Sequence, residues 1–315
     1  MKKSYRFIIL SLVLLCSSLT AYTAESNDES INKIALKNIG IAKFENQDPK
    51  KEIINIFNLH ATYSSTHNIE ELKKLYAESY INNDGFNKKI FFELIEKSWE
   101  LYPNIEYLTE IDNMSIDGDY ACVGLKETAK GITKDPVSNI PSTGTIYSDS
   151  YTYYNLQKIG PSWKITSSSV IKELTYLKYG NAKDLQIHLS APNLVNKNAQ
   201  YTAELSTDVP ANSFILASIT NEPIIYPQTH PKEVFRGIRR NKPLERVLTA
   251  NSDNCNEYAV ASLGITKTNV SADDKISLDL SGMAFIMTRV NVVSHTPIAN
   301  KELKEKTDIN NNEKN

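Results

Sequence analysis

"YTYYNLQKIGPSWKI" (Tyr151–Ile165) places strand-like residues on both sides of Gly160-Pro161, with Trp163 opening the return. Tyrosine suits strands and Gly-Pro suits a turn, so the stretch predicts a hairpin. Strand alternation divides the aromatic cluster between two faces. Tyr147, Asp149, Tyr151, Tyr153 and Asn155 share one face and Tyr154 lies on the other. Alternation does not say which face is inside. Upstream, Ile105–Ile116 and Tyr120–Lys130 also alternate and meet at Asp117-Gly118, a pair that tolerates the positive φ of a tight hairpin. Gly131–Gly144, rich in Pro, Ser and Gly, predicts a long loop. Thr145–Lys158 and Ser162–Ile171 then complete a four-stranded meander.

Before the meander the periodicity is helical. Ile53, Ile56, Phe57, His60, Ala61 and Ser64 recur at helical spacing after Asp48-Pro49, a cap followed by a first-turn proline. A second helix is expected over Ile69–Ser79, after Asn68. A third follows Asn87, carries Phe91, Leu94, Ile95, Ser98 and Tyr102 on one side, and stops at Pro103. This order predicts an α+β fold with helices packed on a curved antiparallel sheet. After Tyr179-Gly180-Asn181, six short strands and no helix predict an all-β, sandwich-like second domain. They are Leu185–Leu189, Gln200–Leu205, Phe214–Ile219, Tyr258–Ile265, Ile276–Leu280 and Ala284–Val293.

Three stretches carry a family resemblance: "ELKKLYAESYINNDGFNKKIFFELIEKSW" (Glu71–Trp99), "MSIDGDYACVGLKETAKG" (Met114–Gly131) and "YTYYNLQKIGPSWKITSSS" (Tyr151–Ser169). Together they resemble the nuclear transport factor 2-like superfamily, which includes SnoaL-like and ketosteroid-isomerase-like proteins, over about residues 49–173. The resemblance implies a cone-shaped domain with a pocket inside. It also implies pairing through the outer sheet face and, in some members, a carboxylate and a tyrosine acting as acid and base in the cone.

The chain has 315 residues, 41% hydrophobic and 23% charged, with a net charge of −2. That balance fits a packed protein and gives no clustered basic surface for nucleic acid. Lys2, Lys3 and Arg6 precede the apolar run Phe7–Leu15 and the small residues Ala21 and Ala24, the pattern of a secretory signal peptide. The run is too short to span a membrane comfortably, so no span is expected in the mature chain. Export is expected, to the periplasm or the exterior; lipidation at Cys16 is disfavoured by Leu15 before it. The expected divisions are a signal peptide (1–24), a polar leader (25–48), the cone domain (49–180), the β domain (181–299) and a polar tail (300–315). Cys122 and Cys255 fall in different expected domains and read as separate thiols.

The candidate ligand-binding residues are His60, Tyr63, Tyr147, Asp149, Tyr151 and Tyr153, and the catalytic candidates among them are His60, Asp149 and Tyr151. A carboxyl group among tyrosines has its pKa raised by desolvation and can serve as an acid, provided that face is the inner one. No phosphate loop, dinucleotide fingerprint, zinc spacing or nucleophile elbow is present, so no cofactor or metal is expected. Asp253, Asn254 and Glu257 carry cation-type oxygens, although turn chemistry explains them equally well. The basic stretch Arg236–Arg246 is flanked by Glu233 and Glu245 and reads as a solvated loop. These features predict an exported, non-catalytic binding or interaction protein. Its cone would take a small apolar ligand or form a homodimer, and its β domain would make contacts. The alternatives are a cofactor-independent isomerase or dehydratase and a cell-envelope assembly component.

Overall fold

The computed structural model describes residues 48–137, 140–208, 213–225, 233–238, 242–270 and 276–294. The expected signal peptide and tail, the leader as far as residue 47, and residues 239–241 of the basic stretch lie outside them.

Asp48 caps α1 (Pro49–Ser65) by accepting from the Lys50 N–H. The residues of the predicted stripe, His60 among them, form its buried face. Asn68 caps α2 (Ile69–Lys74), which ends earlier than its spacing suggests because the aromatic "YAESYIN" leaves as β1 (Tyr76–Asn82). Asn87 caps α3 (Lys88–Leu101), which buries Phe91, Phe92, Leu94, Ile95, Ser98 and Trp99. The meander follows as β2 (Glu106–Asp117), β3 (Tyr120–Val137), β4 (Ile140–Ile159) and β5 (Ser162–Gly180). Gly118 and Gly160 make the turns at φ 55° and 62°, which L side chains rarely adopt. The long loop expected over Gly131–Gly144 is largely strand. Pro136 is accommodated at register shifts in the β3–β4 ladder, where no ladder donor is needed.

After a 3-10 turn at Asn181–Asp184 come β6 (Ile187–Ser190), β7 (Leu194–Asn196), β8 (Gln200–Thr207), β9 (Ser213–Ile219) and β10 (Arg236–Gly237). They are followed by β11 (Leu244–Thr249), β12 (Glu257–Val270) and β13 (Ile276–Val293). No helix among the described residues is long and apolar enough to cross a membrane.

The expected fold class requires correction. The chain is not helices packed on a curved cone sheet followed by a separate β-sandwich. It is predominantly β, and one large, mainly antiparallel sheet runs in the order β10-β9-β12-β13-β5-β4-β3-β2, while β11-β8-β6 form a small second sheet. The physical reason lies in the length of β5. It continues past the expected end at Ile171 to Gly180, and its second half, Leu174–Gly180, pairs with β13. Its first half is flanked instead by the parallel strand β1, with Tyr76 opposite Ile165 and Asn82 opposite Ser168.

Two hydrophobic cores lie on opposite faces of the large sheet. One, under the helices, gathers Ile53, Phe57, Leu72, Phe91, Val123, Leu125, Tyr154 and Ile165. The other, between the large sheet and the small one, gathers Leu189, Ala203, Leu205, Ala217, Ala261, Leu263 and Ile286. The β5–β13 ladder ends at Gly180, which sits at φ 54° opposite Gly282; a Cβ on Gly180 would clash with the Ser281 carbonyl oxygen.

Candidate functional site

The alternation of β4 resolves which of its faces is inside. Ser148, Ser150, Thr152, Tyr154 and Leu156 are buried beneath the helices. Tyr147, Tyr151 and Tyr153 are half-buried on the opposite face, and Asp149 is exposed there. His60 projects from α1 into the helix-side core, so the sheet separates it from Asp149. Tyr63 packs against the edge of that core. The six residues singled out in the sequence therefore form two groups rather than one site.

On the outer face, Asp149 accepts hydrogen bonds from Thr128 (2.8 Å) and Tyr147 (2.6 Å). The Tyr151 hydroxyl accepts from Asn113 Nδ2 at 2.7 Å and donates to Asp112 at 3.0 Å. Gly124 leaves room for this cluster, since a Cβ there would lie 2.6 Å from the Tyr151 hydroxyl. Lys126 pairs with Asp112 at 3.0 Å, and hydrogen bonds from Lys126, Asn113 and Tyr151 lower the Asp112 pKa. The Tyr151 and Tyr153 rings meet edge to face at 5.4 Å, and the Lys130 ammonium lies 5.5 Å above the Tyr147 ring. Desolvation and then Asp149 push Tyr147 up to about 12. Its hydroxyl is protonated across the physiological range. The face therefore presents hydrogen-bonding aromatic side chains and charges of both signs.

Inside, His60 is fully buried and its Nε2 lies 2.7 Å from the Tyr76 hydroxyl. Phe57, Tyr76 and Tyr154 surround the imidazole, and its Nδ1 has no hydrogen-bond partner. Burial drives its pKa down to about 3, so it is neutral. Neither Asp149 nor Tyr151 reaches it. Tyr76, Tyr80, Phe91 and Phe92 pack with ring centroids 4.8–5.6 Å apart. The described cavities, of about 520 to 830 Å³, are lined by none of the six candidate residues; that of about 830 Å³ lies between the start of α1 and the β4–β5 turn.

The sequence reading missed a polar row on the same inner face. Register sets Glu127 of β3 opposite Ser150 of β4, and Ser150 opposite Glu173 of β5. Continuing the β5–β13 ladder by one pair brings Arg289 beside Glu173, and Arg289 lies opposite Tyr258 of β12. All five are buried. Tyr154 donates to Glu127 at 3.0 Å and Tyr258 donates to Glu173 at 2.9 Å. The available signal was a charged residue at a buried register position. Glu127 alternates with Leu125 and Ala129, and Arg289 interrupts the apolar run of β13.

Among the described residues no three His, Cys, Asp or Glu side chains gather as metal ligands would. Glu257 is buried and accepts from Tyr201 and Asn251 instead. The Asn251 side-chain oxygen accepts from the Asp253 and Cys255 backbone N–H groups, as turn chemistry predicts. Cys122 and Cys255 are free thiols.

No protein-family model and no curated protein matches the chain. Solved structures match part of it. A conserved protein from Planctomyces limnophilus matches 38% of this chain and 93% of its own, at 10% identity and TM-score 0.34. A nuclear transport factor 2-like superfamily protein from Salmonella enterica matches 38% and 88%, at 14% identity and TM-score 0.32. A hexachlorocyclohexane dehydrochlorinase from Novosphingobium barchaimii matches 39% and 84%, at 8% identity and TM-score 0.32. Of these three, the Salmonella protein carries by name the superfamily that residues 49–173 resemble. They are likenesses over part of the chain, and the chemistry of the site is read from its own side chains.

Proposed function

We propose that this chain is an exported, non-catalytic interaction protein that pairs with a second copy of itself through the outer face of β2–β5. The observation that carries the reading is the sorting of side chains by the β4 alternation. The catalytic candidate that lies inside, His60, is neutral, fully buried and enclosed by aromatic rings. The candidates that lie outside are held by hydrogen bonds, Asp149 with Tyr147 and Thr128 and Tyr151 with Asn113 and Asp112, and face a partner. A filled interior supports protein contacts over uptake of a small apolar ligand.

The occupant follows from the charges. Lys126, Lys130 and Lys172 alternate across the face with Glu110, Asp112 and Asp149. A surface carrying both signs is complementary to its own copy turned about a two-fold axis. Tyrosine is enriched at interfaces because it combines apolar area with a polar tip. In this reading the small second sheet, which packs on the same side of the large sheet at Tyr176, borders the contact face.

Native mass spectrometry of the purified chain tests the proposal. The expected spectrum shows two chains and no added mass. A bound small molecule, or a monomer throughout, overturns it in favour of ligand binding or of heterologous contacts.

A further inference from the structure

The inner polar row ends in a charge cluster that joins distant parts of the chain. Arg289 is fully buried and donates to both Asp84 oxygens, from Nη1 at 3.1 Å and Nη2 at 2.5 Å. Asp84 sits in the turn between β1 and α3, more than two hundred residues earlier in sequence. Nη1 also donates to the Tyr258 hydroxyl at 3.0 Å, which in turn donates to Glu173 at 2.9 Å. Asn256 tightens the joint by donating to Asp84 Oδ1 and to the Asn83 carbonyl, both at 3.0 Å. Two carboxylates thus stand on either side of one guanidinium, in direct contact or through one tyrosine.

We propose that Asp84, Arg289, Tyr258 and Glu173 form a proton-controlled clamp that holds the turn at residues 82–86 against β13 and releases it as Glu173 ionises. The two carboxylates differ in access to water. The Asp84 side chain is 17% exposed and can be rehydrated, whereas Glu173 is 2% exposed and cannot. While Glu173 is neutral, the cluster holds one cation and one anion, and Arg289 belongs to Asp84. Once Glu173 is charged, two anions compete for one cation, and a buried anion without a partner is the costlier arrangement. Arg289 then turns towards Glu173, and Asp84 moves into solvent with its turn.

The other ionisable groups near Glu173 bias this in known directions. Burial raises the Glu173 pKa most, Arg289 and Tyr258 oppose that rise, Asp84 adds to it, and the result is about 7. Glu127 lies beyond Ser150 on β3, and Tyr80 of β1 stands near both Asp84 and Glu127. Neither Glu127 nor Tyr80 offers a competing cation. The exchange therefore falls between about pH 6 and pH 8.

Hydrogen exchange of the full chain, corrected for intrinsic rates, reads the clamp directly. In the wild type, protection of the amides at 83–86 should fall by up to roughly tenfold per pH unit above pH 7, while β3 and β4 stay unchanged. Glu173→Gln should keep the turn protected at both ends of the range. Asp84→Asn, which removes the more accessible carboxylate and keeps Glu173 and Arg289, should unprotect the turn at every pH. Wild-type protection that is flat from pH 6 to pH 8 overturns the proposal, whether or not the variants fold. A pH dependence that survives in Glu173→Gln does so as well.

Discussion

Replacing His60 with leucine and comparing urea melts near pH 7 and pH 4 isolates the buried imidazole. Burial lowers its pKa from 6.5 to about 3. At pH 4 the unfolded chain therefore charges this histidine while the folded chain does not. A depressed base contributes stability that is present above the unfolded value and lost as pH falls towards the folded one. At about 1.4 kcal/mol per pH unit, acidification from pH 7 to 4 removes about 3 kcal/mol. Glu173 acts in the opposite sense, because its pKa is raised from 4.5 to about 7. Its contribution is present below the unfolded value and lost as pH rises through the folded one, so the same acidification restores about 3 kcal/mol. The two nearly cancel in the wild type. Against its own stability at pH 7, His60→Leu should therefore gain about 3 kcal/mol at pH 4 relative to wild type, and Glu173→Gln should lose about as much. The cavity left by leucine is present at both pH values and drops out of the difference. A His60→Leu profile parallel to that of the wild type would refute a buried, neutral imidazole.

Three further outcomes follow from the packing. Asp149→Asn should leave the urea midpoint unchanged, since its hydrogen bonds to Thr128 and Tyr147 lie on the exposed face. Arg289→Leu should destabilise by about 3–5 kcal/mol in the same assay, because it leaves Asp84 and Tyr258 without their shared donor. Gly180→Ala should cost at least about 2 kcal/mol in a thermal melt, from the left-handed backbone and the clash with the Ser281 carbonyl.

Local chemistry made much of the N-terminal region legible. The caps Asp48, Asn68 and Asn87 and the turn glycines Gly118 and Gly160 are short-range signals that each specify one conformation. The misreadings arose where pairing over long sequence distances decides. "YAESYIN" is too short to declare itself a strand until β5 lies beside it. The predicted strand stops at Ile171 because β13, the partner of Leu174–Gly180, comes from the far end of the chain. The candidate site shows the same limit. Alternation separated Tyr151 from Tyr154, but the inward side of β4 depends on where the helices pack. Glu127, Glu173 and Arg289 became visible as one row only when the register of five strands was known.

Sedimentation equilibrium of the wild type and of the double variant Tyr151→Arg, Tyr153→Arg tests the central claim most directly. The outer-face account predicts a wild-type mass of two chains at micromolar concentration and a mass of one chain for the variant, with unchanged thermal stability. A wild type that stays monomeric at high concentration, or a dimer that the two arginines leave intact, would contradict it.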